Sequence, residues 1–253
     1  RLSSTCLMGL ILVRIRIMTQ AVIKLMRFMN KSLILLFILA YNFCAYAQHN
    51  PLRDSLKVAT EALNYHPDSL DLKLKKASWN VQLGEWDYAK SEYDQVLARE
   101  PNNLAALYFR AFVNEQLHRY SFARLDYEHL LYLVPGNFEA QLGLALLNER
   151  DNHHTEALDG LNRLVMQFPD SSLAYAARAN LERDHQQYDL AAFDYTEAIR
   201  RAPDNTDYLL ARADIWITLR QYEKAKDDLQ KLMTLGIPRM ALKPFFERIK
   251  RKS

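Results

Sequence analysis

One stretch of this sequence carries no acidic residue: none lies in residues 1–47, although the whole chain contains 30. Cysteine is almost missing as well. Its two copies, Cys6 and Cys44, both fall in that acid-free stretch. From residue 48 onward there is no thiol, which excludes a disulfide, a cysteine nucleophile and a thiolate metal site from that part. No phosphate loop, dinucleotide fingerprint, nucleophile elbow or zinc motif occurs. The histidines are scattered. His153 and His154 are the one adjacent pair, and adjacent side chains on a helix point apart. No carboxylate sits at a sequence spacing that favours a shared metal, so the pair marks a turn. These absences leave no candidate catalytic residue, metal ligand or cofactor-binding residue, and the chain reads as non-enzymatic.

The acid-free stretch has an export pattern. Met29 opens it, Lys31 is the positive element, and Leu33 to Tyr41 form a short apolar core. Ala45-Tyr46-Ala47 then supply small residues at the cleavage positions, before Gln48. Residues 1–28 are expected to be an upstream extension, and residues 29–47 a signal peptide that sends the protein to the periplasm or envelope of a Gram-negative bacterium. The apolar run is short for a membrane span of about 20 residues; the rival reading is an uncleaved anchor. Removing residues 1–47 takes away six basic residues, leaving 27 basic against 30 acidic and a net charge of −3. The expected mature chain lacks the clustered cations that a nucleic acid partner requires.

What is present is a ruler. Pro67, Pro101, Pro135, Pro169 and Pro203 lie 34 residues apart. Proline cannot continue a helix, and each one is followed by turn and N-cap residues: Asp68-Ser69, Asn102-Asn103, Gly136-Asn137, Asp170-Ser171 and Asp204-Asn205. Small residues keep the same phase, first Ala77, Ala111, Ala145, Ala179 and Ala213, then Ala89, Ala123, Ala157, Ala191 and Ala225. Such alanines let two helices approach closely. Three residues before each second alanine stands Trp86, Tyr120, His154, Tyr188 or Tyr222. Tyr93, Tyr127, Leu161, Tyr195 and Leu229 follow, at helical spacing from the alanines. A fixed period of this length describes stacked helical hairpins rather than one enclosed core.

Two columns vary together. Lys76, Arg110, Leu144, Arg178 and Arg212 precede the first alanines, and Glu92, Asp126, Gly160, Asp194 and Asp228 lie 16 residues later. Four units hold a base with an acid, and the third loses both. An ion pair between the two helices of each hairpin accounts for this, because a half-buried charge without its partner is costly. The third unit also carries Gly143 and Gly160 within its helices. Glycine there costs roughly 0.5–1 kcal/mol relative to alanine, so this unit is expected to be the softest. Only Gly84 supplies a glycine at the hairpin turn; His118, Asn152, Gln186 and Arg220 occupy that place in the other units.

The period, the paired alanines, the ring and the terminal proline resemble the tetratricopeptide repeat, as in ALYFRAFVNEQLHRYSFARLDYEHLLYLVP. The resemblance implies an all-α, right-handed superhelical solenoid of helix-turn-helix hairpins. Residues 48–69 hold an N-terminal half-repeat helix. Five units follow over residues 70–236 (70–103, 104–137, 138–171, 172–205 and 206–236). Residues 237–253 form a capping helix, with Phe245, Phe246 and Ile249 turned inward, and a basic tail.

By the same resemblance, the first helices line a concave groove that takes a peptide or an extended protein segment. The groove positions here are Leu74, Tyr108, Phe112, Gln116, Leu142, Leu146, Arg150, Asn180 and Arg183. Tyr108 and Phe112 have a second reading, as packing against the neighbouring hairpin. Leu74 and Ser78 replace the lysine and asparagine with which some family members clamp a chaperone carboxylate. The expected function is a scaffold for a protein or peptide ligand; the alternative is an assembly subunit docking through its convex face or ends.

Overall fold

The computed structural model describes residues 50–252; the expected signal peptide and upstream extension lie outside them. Twelve α-helices and no strand occur among the described residues. The chain divides into two units, residues 1–57 and 58–253. Of the first, only residues 50–57 are described, and they include the start of α1 (Pro51–Tyr65).

The second unit is a repeat solenoid. Its hairpins pair α2 (Leu70–Gln82) with α3 (Trp86–Arg99), α4 (Leu104–Gln116) with α5 (Tyr120–Leu133), and α6 (Phe138–Arg150) with α7 (His154–Gln167). They continue with α8 (Ser172–Asp184) on α9 (Tyr188–Arg201) and α10 (Thr206–Thr218) on α11 (Tyr222–Thr234). The second helix of each hairpin packs on the first helix of the next.

The local chemistry repeats with the fold. Ser69, Asn103, Asn137, Ser171 and Asn205 each accept a hydrogen bond from an amide in the first turn of the helix that follows, which satisfies one of the orphan donors there. Gly84, His118, Asn152, Gln186 and Arg220 all have φ between 56° and 71°. The next amide in each turn reaches back into the first helix, as Glu85 N–H does to the Asn80 carbonyl at 2.8 Å and Gln187 N–H to the Glu182 carbonyl at 2.7 Å. This is the Schellman closure, and four of its five left-handed residues are not glycine. Both alanine columns are buried throughout.

The final helix, α12 (Arg239–Lys252), packs on α10 and α11. Ile249 is buried, and Phe245 and Phe246 are partly buried against the same core. Leu242, which the sequence pattern does not single out, is buried more deeply than either ring. A capping element of this kind closes the apolar end of a repeat stack.

Gly143 has a packing reason that periodicity does not reveal. A Cβ at this position would lie 2.7 Å from Cζ of Tyr127 in the preceding hairpin. That ring is buried, and its hydroxyl donates to Glu115 Oε1 at 2.7 Å, so it cannot turn aside without breaking a buried hydrogen bond. The glycine therefore admits the tyrosine. We expect Gly143→Ala to lower stability by about 1–3 kcal/mol in chemical denaturation, overpacking outweighing the gain in helix propensity. An unchanged or higher stability would show that the ring is free to move.

Candidate functional site

Four of the five units contain the expected ion pair. Lys76 Nζ lies 2.6 Å from Glu92 Oε1. Arg110, Arg178 and Arg212 each grip their acid through two nitrogens, as Arg178 does with Nε and Nη2 to Asp194 at 2.5 and 2.8 Å. The third nitrogen of each fork turns to the preceding hairpin: Arg110 donates to Asp94, Arg178 to Asn162 and Arg212 to Thr196. The arginines thus stitch neighbouring hairpins as well as the helices of one hairpin. Planar guanidinium geometry permits this; a lysine can meet the charge but not the fork. Where the pair is missing, Leu144 and Gly160 line a cleft with Asn148, Glu156 and Arg163.

The residues expected to line the groove are on the first helices, in varied surroundings. Leu74, Tyr108 and Phe112 are half-buried and pack against the core of the first hairpins. Phe112 meets Trp86 edge-on at 6.1 Å between ring centres, and Tyr108 meets Tyr127 at 6.0 Å. Phe112 therefore ties the second hairpin to the first, and Tyr108 ties the two helices of its own hairpin. Leu142 packs on the third hairpin's core, and Gln116 is half-buried. Leu146 and Asn180 are exposed, Asn180 accepting from the Tyr195 hydroxyl at 2.7 Å. Arg183 turns onto Asp184 at 3.0 Å. Half-exposed Arg150 donates to Glu115 Oε2 at 2.6 Å, which ties the third hairpin to the second. Burial raises the Glu115 carboxyl above its usual range, while Tyr127 and Arg150 act against that rise.

More exposed rings lie elsewhere, Tyr132 on α5 among them. Tyr88, Phe122 and Phe193 are on second helices and more than half exposed, as are Leu125 and Leu190. Phe122 with Leu125 and Leu190 with Phe193 sit three apart, which places each couple on one helix face.

The fold brings together a carboxylate and two histidines whose sequence spacing does not suggest a shared site. Glu149, at the end of α6, accepts from His154 Nδ1 through Oε2 and from His185 Nε2 through Oε1, both at 2.9 Å. The two imidazoles meet edge-on, 4.8 Å between ring centres. Burial pushes the Glu149 carboxyl up, but the two imidazole hydrogen bonds and the histidine charges together outweigh it and hold the group below the usual carboxylate range. His153, by contrast, turns to Asp151 and Arg124. Sequence spacing misses the trio because His185 belongs to the next hairpin, 36 residues from Glu149. A signal was present: His185 stands where three other units have Leu83, Leu117 and Leu219 and the third has Asp151.

Near the trio lies Glu182, which is buried, with an Oε2 that has no hydrogen-bond partner. Burial first, and then the charge of Asp194, push its carboxyl up to about 7, with Arg178 acting in the opposite sense.

Models of the tetratricopeptide repeat match residues 139–171 and 176–232. The chain is a tetratricopeptide-repeat protein. Among solved structures it is similar to a tetratricopeptide repeat protein from Parabacteroides merdae, at 24% identity over 79% of this chain and 78% of that one, with a TM-score of 0.63. It is also similar to MamA, residues 41 to the end, from Desulfovibrio magneticus, at 18% identity over 66% of this chain and 95% of that one, with a TM-score of 0.56. At such identities the likeness concerns the fold. No curated protein matches the chain.

Proposed function

We propose that this protein is a non-enzymatic scaffold that holds a peptide or protein segment on the first-helix face of its repeats. The observation that carries the reading is the chain's construction from stacked hairpins, each with its own capped turn and alanine seam, which presents side chains along a series of parallel helices rather than around one enclosed pocket. Leu146, Arg150, Asn180 and Arg183 offer an apolar contact, cations and an amide on successive hairpins, which suits an extended polar segment. The export pattern in the sequence before residue 48 supports a periplasmic or envelope setting for this work. No helix among the described residues is long and apolar enough to cross a membrane.

A second reading has an observation of its own. The exposed Phe122, Leu125, Leu190 and Phe193 on the second helices are the material of a docking surface, and fit an assembly subunit bound through that face. Affinity capture by the full chain from envelope extract separates the two. Leu146→Glu with Arg183→Glu is expected to release the captured protein, while Phe122→Glu with Phe193→Glu leaves it bound, each variant having first been confirmed folded by circular dichroism. The opposite pattern would move the contact to the second-helix face.

A further inference from the structure

We propose that Glu149, His154 and His185 form a binding site for a divalent transition-metal ion of the zinc class, at the junction of the third and fourth hairpins. The ligand atoms are one carboxylate oxygen, His154 Nδ1 and His185 Nε2, all within 4.8 Å of one another. A tetrahedral zinc site with metal–nitrogen distances of about 2.0–2.1 Å spaces its ligand atoms about 3.3 Å apart. The two imidazole–carboxylate distances of 2.9 Å lie just below that value, and small side-chain rotations open the trio around an ion. Each ligating nitrogen now donates to Glu149; a shift of tautomer moves that proton to the other ring nitrogen and bares the lone pair.

The donor set decides the class of metal. Two imidazoles and one carboxylate suit zinc, nickel or copper, whereas calcium and magnesium require mostly oxygen ligands. The side chains of His154 and His185 are 49% and 35% exposed, so an ion reaches them from solvent without any opening of the fold.

A second observation points to the same place. His154 and His185 line a cleft of about 190 Å³ together with Asp159 and Glu182. Glu182 is only 6% exposed, and its Oε2 has no hydrogen-bond partner. The carboxylates that line this cleft favour a cation over an anion there. The junction also departs from its equivalents along the chain. Other units have Trp86, Tyr120, Tyr188 and Tyr222 in place of His154, and Leu83, Leu117, Asp151 and Leu219 in place of His185. Asp151 holds the His185 place in the third unit, so the apolar couples Trp86–Leu117 and Tyr188–Leu219 have their counterpart here in two imidazoles around a carboxylate.

Zinc itself is the probe, added to the full, untagged chain with Cys6 and Cys44 alkylated so that thiolates do not compete. Isothermal titration is expected to show one zinc ion per chain. His154→Gln and His185→Gln, both at accessible positions, are expected to weaken binding by at least about tenfold each, while His118→Gln leaves it unchanged. Cobalt substituted for zinc is expected to give visible absorption bands that the two histidine variants lose. The trio is a hydrogen-bonded cluster and nothing more if the wild type shows no saturable zinc binding, or if its binding survives in the His154→Gln, His185→Gln double variant.

Discussion

Arg178→Ala is expected to cost about 3–5 kcal/mol in chemical denaturation, more than any exposed ion pair of this chain. The pair is well enclosed, the Asp194 side chain being 1% exposed, and removal of the guanidinium leaves that carboxylate buried beside Glu182 with no counter-charge. Breaking a buried pair from one side carries this order of penalty, whereas replacing both partners together is far milder. Asp194→Ala alone strands the arginine instead. In a double-mutant cycle the two losses should fall short of additivity by about 2 kcal/mol. Strictly additive losses would mean that the two side chains stabilise the hairpin independently. The chain already holds one natural version of the double substitution, in Leu144 and Gly160.

The second large effect depends on pH. Glu182 occupies a helix position filled by Asn80, Asn114 and Asn148 in the first three units. Asn114 shows what that position does, its amide nitrogen pointing at Asp126 from 3.5 Å. Glu182 faces Asp194 in the same relation and can act as a donor only while protonated, so burial and Asp194 push its carboxyl up to about 7 from 4.5.

The sign follows from the protons bound. Below about 4.5 the group is protonated in both the folded and the unfolded chain and costs nothing. Between 4.5 and 7 the unfolded chain has lost its proton while the folded chain keeps it, so stability falls as pH rises; above 7 the full penalty is present. Glu182→Asn restores a permanent donor. Its stability relative to wild type is expected to improve by about 2–3 kcal/mol between pH 5 and pH 8, read from urea midpoints at the two values. A difference that does not change with pH would mean that Glu182 titrates as an ordinary carboxyl.

The repeat made much of this fold legible before any coordinates. The proline ruler and the alanine columns mark the hairpins, and the joint loss of Leu144's and Gly160's charged counterparts marks the ion pair, because both signals compare like positions along one chain. The rest depends on contacts between unlike positions of adjacent hairpins. Gly143 looks like a helix weakener until Tyr127 is seen across the seam. Glu149, His154 and His185 look unrelated until two successive hairpins are stacked. Tyr108 and Phe112 occupy groove columns by analogy, yet their rings also lean on Tyr127 and Trp86, and no periodic pattern distinguishes a ring that binds from a ring that packs. No column of the repeat marks Leu242, because the last helix lies outside the period.

The forked arginines connect each hairpin to the one before it at every joint where an arginine is present, and Leu144 removes that connection between the second and third hairpins. This joint is held by other means: Arg150 on Glu115, Arg124 on Asp151 and Asn148, and the seat of Tyr127 over Gly143. A spring wound from like coils spreads a load evenly, whereas one with an odd coil flexes or stiffens there. The relative setting of the first two hairpins and the last three therefore rests on a set of contacts unlike the arginine forks that hold the other joints.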